Sequence, residues 1–266
     1  MLTAVKNQLK ITLLTIKFAL MREMLNKVTF VTNIIFMILN NASFIVQWIV
    51  LYSLKDNVGG YTFNQVLLLW GIAAGTYGVS RFFFKKAFSL AETINNGKLD
   101  SFLVQPKNVL LSVITTDVEP SAIGDILYAY IMLFIYGFSI EKFLLFTLFI
   151  FTGGFMLTAI AVILGSLSFW FNKTDMIADV GNSLTTNFAT YPDGIFKGVV
   201  KGILYTIIPV GMINYIPIKI LTEFNLGLTI AVLGFTIFMI ALAFFVFFKG
   251  LKKYSSSNLM IARLWL

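Results

Sequence analysis

Residues 92–106 read ETINNGKLDSFLVQP, and this polar stretch decides how the rest of the chain is interpreted. It is the longest polar interruption in a sequence whose other segments are mostly apolar. It holds six charged or amide side chains together with one glycine and one proline. Such a segment between apolar runs predicts a region in water that a soluble partner can contact.

The composition around this stretch is that of an integral membrane protein. Of the 266 residues, 58% are hydrophobic and only 12% are charged, and the mean hydropathy is +0.88. Soluble domains carry roughly 25% charged residues, so the difference is too large for an unusually rich core. The chain has no cysteine and no histidine, which excludes disulfides, thiol nucleophiles and histidine metal sites.

Six apolar stretches predict six membrane-spanning helices, since each is near the roughly 20 residues that a helix needs to cross the hydrocarbon. They cover residues 28–54, 62–84, 121–140, 143–171, part of 176–221, and 226–248. The predicted fold class is thus an all-α, polytopic membrane protein that forms a single transmembrane domain over residues 1–266.

Residues 1–26 predict a basic amphipathic helix that lies in the membrane interface. Leu9, Leu13 and Leu20 are spaced for one helical face, and lysines occupy another. The alternative is a first span, but its four cations would each cost about 2.5–3.5 kcal/mol at the middle of the bilayer.

The distribution of lysine and arginine predicts the orientation. The first 27 residues carry five cations, residues 81–107 carry five, and the region after residue 248 carries four. The links at 55–61 and 141–142 carry one each. Because cations stay on the cytoplasmic side, both termini and residues 85–120 are expected to face the cytoplasm.

Residues 176–221 leave two courses open. In the first, residues 176–190 form a polar-lined span and residues 191–221 form a re-entrant hairpin on the outer face. In the second, residues 202–221 form the span. Two prolines and a glycine interrupt the later apolar stretch and favour the first course, because broken helices at membrane depth pack against protein or line a cavity. Two lysines favour the second by their charge.

Catalytic signatures are absent from the sequence. It contains no GxxxxGK[ST] phosphate loop, no HExxH and no pair of carboxylates in the middle of a predicted span. We therefore expect a chain that is not an enzyme and that needs no cofactor and no metal. Asp125, near the start of the third stretch, either complements the positive end of that helix or contacts a ligand.

Amide side chains form a stripe in the first predicted span. Asn33, Asn40 and Gln47 are seven residues apart and share one helical face. Neutral amides in lipid need partners, so the stripe predicts either a helix or subunit interface or the lining of a translocation pathway. In the second span Gly71, Gly75 and Gly78 form a small-residue face that predicts close helix packing.

Residues 85–120 are predicted to begin as a helix that continues out of the second span. Gly97 ends this helix, because glycine readily adopts the left-handed cap conformation. Residues 98–103 then form a short amphipathic turn, and Pro106 closes it. An element tied at both ends to spans can transmit the movement of a soluble partner into the bundle.

The same segment resembles the signature of bacterial ABC-type transporter permeases of the exporter class. The matching residues are Ile94, Gly97, Leu99, Asp100, Leu103, Pro106 and Asn108, in that order and spacing. Three later motifs also resemble the family pattern: Tyr191-Pro192, the proline motifs at 208–209 and 215–217, and Lys253-Tyr254-Ser255-Ser256. The resemblance extends over nearly the whole chain.

The resemblance implies one subunit of an ATP-driven exporter in the bacterial plasma membrane. Such permeases lack an ATPase of their own, bind two copies of a cytoplasmic ATPase subunit, and often pair with a second, different permease. It also implies that the segment between the second and third spans couples to the ATPase. We expect membrane lipid but no nucleic acid as a further partner. The residues expected to carry this coupling are Glu92, Gly97, Lys98, Leu99, Asp100, Phe102, Leu103 and Pro106.

An alternative from another class is a membrane scaffold or immunity-type subunit without transport function. It would bind a cytoplasmic partner through the same segment. A neighbouring reading frame with a GxxxxGK[ST] motif would favour the exporter, since the exporter must obtain its energy from a separate subunit.

Overall fold

The computed structural model describes residues 2–171 and 174–255. Within those ranges the chain forms helices and turns, with no strand and one isolated bridge between Val58 and Tyr61. The all-helical prediction is confirmed for this part of the chain. Ser256 of the tail motif and Arg263 of the cation count lie outside the described residues.

Twelve α-helices follow one another in the described ranges. They are α1 (Leu2–Glu23), α2 (Lys27–Leu54), α3 (Phe63–Phe84), α4 (Leu90–Asn95), α5 (Asp100–Leu103), α6 (Val109–Ile114), α7 (Ala122–Tyr136), α8 (Ile140–Ser166), α9 (Asp175–Phe188), α10 (Gly198–Thr206), α11 (Ile216–Thr222) and α12 (Leu226–Leu251). Short 3₁₀ turns lie at Lys85–Ser89, Leu167–Phe169 and Asp193–Ile195, and a π-helical turn lies at Gly211–Tyr215.

Polar caps fix where the long helices begin. The side chains of Asn26, Ser139 and Asn225 accept hydrogen bonds from backbone amides in the first turns of α2, α8 and α12. Thr62 and Gln65 form a reciprocal capping box at the start of α3. Each cap satisfies an amide that would otherwise lack a partner, so the helix boundaries are encoded locally.

Four helical stretches of the described chain are long and apolar enough to cross a membrane. They are Lys27–Leu54, Phe63–Asn95, Ile140–Phe169 and Leu226–Leu251. A fifth is counted if the pair Gly198–Thr206 and Gly211–Thr222, bent by 75°, forms one broken span or a re-entrant loop. The protein is therefore a multi-pass helical membrane protein, and the helix lengths account for four or five of the six predicted spans.

The third predicted span is shorter than expected. The sequence predicts it at residues 121–140, but α7 ends at Tyr136 after 15 residues. At 1.5 Å per residue, the helix is about 22 Å long. Gly137 has a φ of 135° and stops the helix there. A membrane would have to thin, or neighbouring helices would have to cover the ends of α7, for it to span.

The core lies around α3 and α8. In the apolar 18-residue stretches of their spans 67% and 72% of the residues are buried, whereas only 11% are buried in the corresponding stretch of α2. The predicted glycine face of α3 is confirmed as a packing surface. A Cβ on Gly75 would lie 3.0 Å from the Cβ of Ala129 in α7 and 2.6 Å from Ile150 in α8. The absence of side chains here lets three helices approach closely, and α2 is left at the edge of the bundle.

Candidate functional site

A cavity of 820 Å³ lies between α2, α3, α7, α9 and the π-helical turn before α11. Its lining is mainly aromatic and neutral polar. Phe44 stacks on Trp70 with ring centroids 5.3 Å apart, and Trp48 packs against Tyr191 at 6.1 Å. The volume is in the range of about 300–1,000 Å³ that is usual for small-molecule sites.

Asp125 in the first turn of α7 lies in the wall of this cavity. It is only 3% exposed, and Asn41 of α2 donates its side-chain amide to Oδ1 at 2.6 Å. The other oxygen, Oδ2, is buried without a hydrogen-bond partner among the described residues. Both sequence readings of Asp125 therefore stand, since it lies at the positive end of a helix and also borders a cavity.

The amide stripe of α2 divides between the cavity and the exterior. Asn40 and Gln47 line the cavity, whereas Asn33 is exposed on the helix surface and does not. Asn41 is the buried amide of this helix, and its partner lies 84 residues away in sequence. The sequence pattern located the polar helix but not the amide that binds the carboxylate.

Helix α9 is amphipathic. Thr185, Thr186 and Asn187 line the cavity, whereas Met176, Ile177, Val180 and Leu184 are exposed on other parts of the helix. The first of the two predicted courses makes residues 176–190 a polar-lined span, and the structure shows the polar lining. At 14 residues, however, α9 is not among the helices long and apolar enough to span alone.

A second cavity of 350 Å³ adjoins the first and shares Tyr77 and Thr186 with it. Its wall carries Arg81 and Lys85, and each cation has a carboxylate nearby. Arg81 lies 3.9 Å from Glu119, and Lys85 lies 3.8 Å from Asp117. The guanidinium of Arg81 also stacks over the Phe88 ring at 4.0 Å, a cation–π contact. The two cavities thus lie next to each other along α3 and α9.

At the opposite end of α3, the turn Asp193–Ile195 packs against the α2–α3 link. The Asp193 carboxylate accepts hydrogen bonds from Lys201 and Tyr205, both at 2.9 Å. Burial alone would raise the pKa of the Asp193 carboxyl, but these bonds and the Lys201 charge outweigh burial and hold the pKa below its usual range. The ion pair fixes α10 to the turn that precedes it.

Residues 85–120, which we call the connecting segment, follow the predicted course closely. A 3₁₀ turn and α4 continue α3 to Asn95, and Gly97 has a φ of 68°. The Lys98 ammonium and the Glu92 carboxylate pair at 2.8 Å across this turn. Local sequence therefore specifies the backbone, since glycine supplies the left-handed residue that ends α4.

The apolar side chains of the connecting segment do not all face the same way. Leu99 is fully buried, Phe102 is partly buried, and Leu103 is 41% exposed. Val104 was not selected from the sequence and is 84% exposed next to Pro106. Leu99 thus anchors the segment from inside, and Leu103 and Val104 form its accessible apolar surface.

Hydrogen bonds join the connecting segment to three distant parts of the chain. The Tyr254 hydroxyl, beyond α12, donates to Asp100 at 2.9 Å. Asn95 donates to both oxygens of Asp175, at the start of α9, at 3.1 Å. The backbone amide of Asn108 donates to the Gln8 side chain in α1 at 3.1 Å. The segment is therefore connected to α1, α9 and the end of α12 together.

Within residues 2–171 and 174–255, no group of three histidine, cysteine, aspartate or glutamate side chains is arranged to hold a metal ion.

The comparison with protein families finds a match. The family described as ABC-2 family transporter protein matches residues 37–258. No curated protein and no solved structure matches the chain.

Proposed function

Because the chain belongs to the ABC-2 transporter family, we propose that it forms half of the translocation pathway of an ATP-driven exporter. In this proposal a separate ATPase subunit, present in two copies, supplies the energy. The two adjoining cavities along α3 and α9 carry the proposal, because together they would form a path lined by amide, hydroxyl and aromatic side chains beside helices that are otherwise packed on apolar residues.

A second permease subunit is proposed to complete the path. Only 11% of the residues in the apolar 18-residue stretch of α2 are buried, and the amide side chains of Asn33, Asn40 and Gln47 are exposed. Exposed amides are unfavourable against lipid tails, so they favour a partner helix or water at this surface. We propose that two permeases of different sequence face each other across α2 and α9, with six spans each and both termini in the cytoplasm.

The connecting segment is the proposed contact with the ATPase. ATP binding draws the two ATPase subunits together, and their movement displaces Leu103, Val104 and the turn around them. The hydrogen bond that Tyr254 donates to Asp100 passes this displacement to the end of α12, and the bonds that Asn95 donates to Asp175 pass it to α9. Since α9 lines the cavity, its shift changes access to the path.

The surface of Leu103 and Val104 provides a direct test. We expect Leu103→Asp combined with Val104→Asp to reduce recovery of the ATPase about tenfold or more, since charge is placed in an apolar contact. The tagged full chain is purified from its native membranes, and the eluate is assayed for ATP hydrolysis and for a subunit containing a GxxxxGK[ST] motif. Phe138→Asp, on the exposed α7–α8 link, is the matched control.

The outcomes separate the two candidate functions. Recovery of an ATPase with the wild type and with Phe138→Asp, but not with the double variant, supports the exporter. Recovery of a different soluble protein through the same surface supports the scaffold or immunity-type function. If the wild type recovers no ATPase, or the double variant recovers as much as the wild type, the coupling proposal is wrong.

A further inference from the structure

We propose that the 820 Å³ cavity binds an organic cation with an aromatic or apolar body, and that the Asp125 carboxylate supplies the opposite charge. This inference rests on the proposed transport function, because it takes the cavity as the place where the transported molecule is held. It adds the chemical class of that molecule.

The first argument is a charge that the described chain leaves without a counter-charge. Two aspartates are less than a tenth exposed, Asp125 at 3% and Asp193 at 5%. Asp193 is paired with Lys201 at 2.9 Å, whereas Asp125 forms no ion pair within the described residues and accepts only the neutral amide of Asn41. Buried charges in proteins are normally paired, so a ligand cation is the natural partner for this carboxylate.

The second argument is the composition of the cavity wall. Among its described lining residues Asp125 is the charged one, and the wall contains no lysine and no arginine. Aromatic rings of Phe44, Trp48 and Trp70 supply flat apolar surfaces. Such surfaces attract cations through the ring quadrupole and also bury apolar groups. An anionic ligand would meet an uncompensated carboxylate instead.

The adjoining cavity does not oppose entry of a cation. Its cations Arg81 and Lys85 each lie within 4 Å of a carboxylate, Glu119 and Asp117 respectively. Asp179 adds a further negative group to its wall. Arg22 also pairs with Asp117, at 2.7 Å, and with Glu23, at 3.3 Å. Three cations and four carboxylates of the described chain therefore lie in and around the smaller cavity, so its charge does not repel a cation, and the carboxylate without an ion pair lies in the larger cavity.

The carboxylate acts from within the wall. Its Oδ2 is buried without a hydrogen-bond partner in the described chain, as is Oγ1 of Thr76, which also lines the cavity. A bulky cation need not touch Oδ2, since the attraction between unit charges extends over several ångströms where water is excluded. At about 6 Å and an effective dielectric constant of about 20, it corresponds to roughly 100-fold in affinity.

The test uses two ions of the same shape and opposite charge. The full chain is purified in lipid nanodiscs, and saturable binding of tritiated tetraphenylphosphonium and of tetraphenylborate is measured in separate samples, each against empty nanodiscs, because the two ions pair with each other when mixed. We expect saturable binding of the phosphonium cation and none of the borate anion. Saturable binding of both ions with equal affinity would overturn the proposal, because the cavity would then select for shape and apolarity only.

Variants then locate the site. Asp125→Asn keeps the shape and removes the charge, and it is expected to weaken tetraphenylphosphonium binding about 10- to 100-fold. Glu141→Gln removes an exposed carboxylate that lines neither cavity and should leave binding unchanged. If Asp125→Asn does not yield a monodisperse protein, Asn187→Lys serves instead. It adds a cation at an exposed position of the cavity wall and should reduce binding at least tenfold.

The result is independent of the ATPase assay. Unchanged binding in folded Asp125→Asn, or in Asn187→Lys, overturns the cation site even when an ATPase is recovered with the permease. Conversely, charge-selective binding without a recovered ATPase would leave the cation site in place and contradict the exporter. Binding that is absent from the wild type likewise overturns the inference alone.

Discussion

Gly194→Ala is expected to lower the stability of the folded permease by about 3 kcal/mol, the upper part of the range for overpacked sites. A Cβ on Gly194 would clash with the Gly59 carbonyl oxygen and would lie 2.6 Å from the carbonyl carbon of Gly59. Both atoms belong to backbone, so no flexible side chain can move aside. The turn at Asp193–Ile195 and the α2–α3 link would have to separate.

Separation at this point would also weaken the neighbouring contacts. The Tyr52 hydroxyl donates to the Tyr61 carbonyl at 2.6 Å. Asp193, which pairs with Lys201, directly precedes Gly194 in the chain. These contacts hold the end of α3 opposite the connecting segment. Their loss should therefore appear as reduced thermal stability of the whole bundle, not as a local change.

Thermal unfolding of the detergent-solubilised chain, followed by size-exclusion chromatography, measures the effect. We expect the midpoint for Gly194→Ala to fall by roughly 6–12 °C. Gly202→Ala is the matched control, because its Cβ position has no described heavy atom within 4 Å apart from the backbone of its own helix, and alanine is favoured in helix α10. Similar midpoints for both variants would show that the close approach of the two backbones does not stabilise the protein.

The sequence predicted the parts of the fold that depend on local signals. The long apolar runs of α2, α3, α8 and α12 placed these helices within a few residues, because their lengths are set by apolar composition and by capping residues such as Asn26. Gly97 likewise predicted the end of α4 through its own backbone preference. These features need no knowledge of tertiary packing.

Features that depend on distant residues were not predicted. The amphipathic turn at 98–103 was recognised, but the buried position of Leu99 depends on packing against other helices. The bond between Asn41 and Asp125 joins α2 to α7 and has no local signal. Val104 was missed because nothing in the sequence distinguishes an exposed valine beside a turn from a buried one.

Gly165→Val is expected to uncouple the connecting segment from the bundle. A Cβ on Gly165 would lie 2.8 Å from the Cβ of Leu90 and 3.2 Å from the backbone nitrogen of Ala91. Leu90 is fully buried in α4, so the valine would push the start of the connecting segment away from α8. The added bulk should lower stability by about 1–3 kcal/mol.

Binding of the ATPase should survive this change, since the exposed surface of Leu103 and Val104 is not altered. Transmission should not survive, because α4 would no longer move together with α8. The chain has no cysteine, so Asn187→Cys provides a single reporter on the cavity wall. In the complex with the ATPase, trapping with ATP and vanadate should change the rate at which a thiol reagent labels this position.

We expect Gly165→Val to abolish this nucleotide-dependent change while the ATPase still co-purifies. Gly234→Val is the control, because its Cβ position has no described heavy atom within 4 Å apart from the backbone of its own helix α12. A variant that loses both the ATPase and the labelling change would indicate a folding defect, which the melting midpoint reveals. Retention of the full labelling change in folded Gly165→Val would contradict the contact between α4 and α8 as a route of coupling, because transmission would then persist without close packing of the two helices.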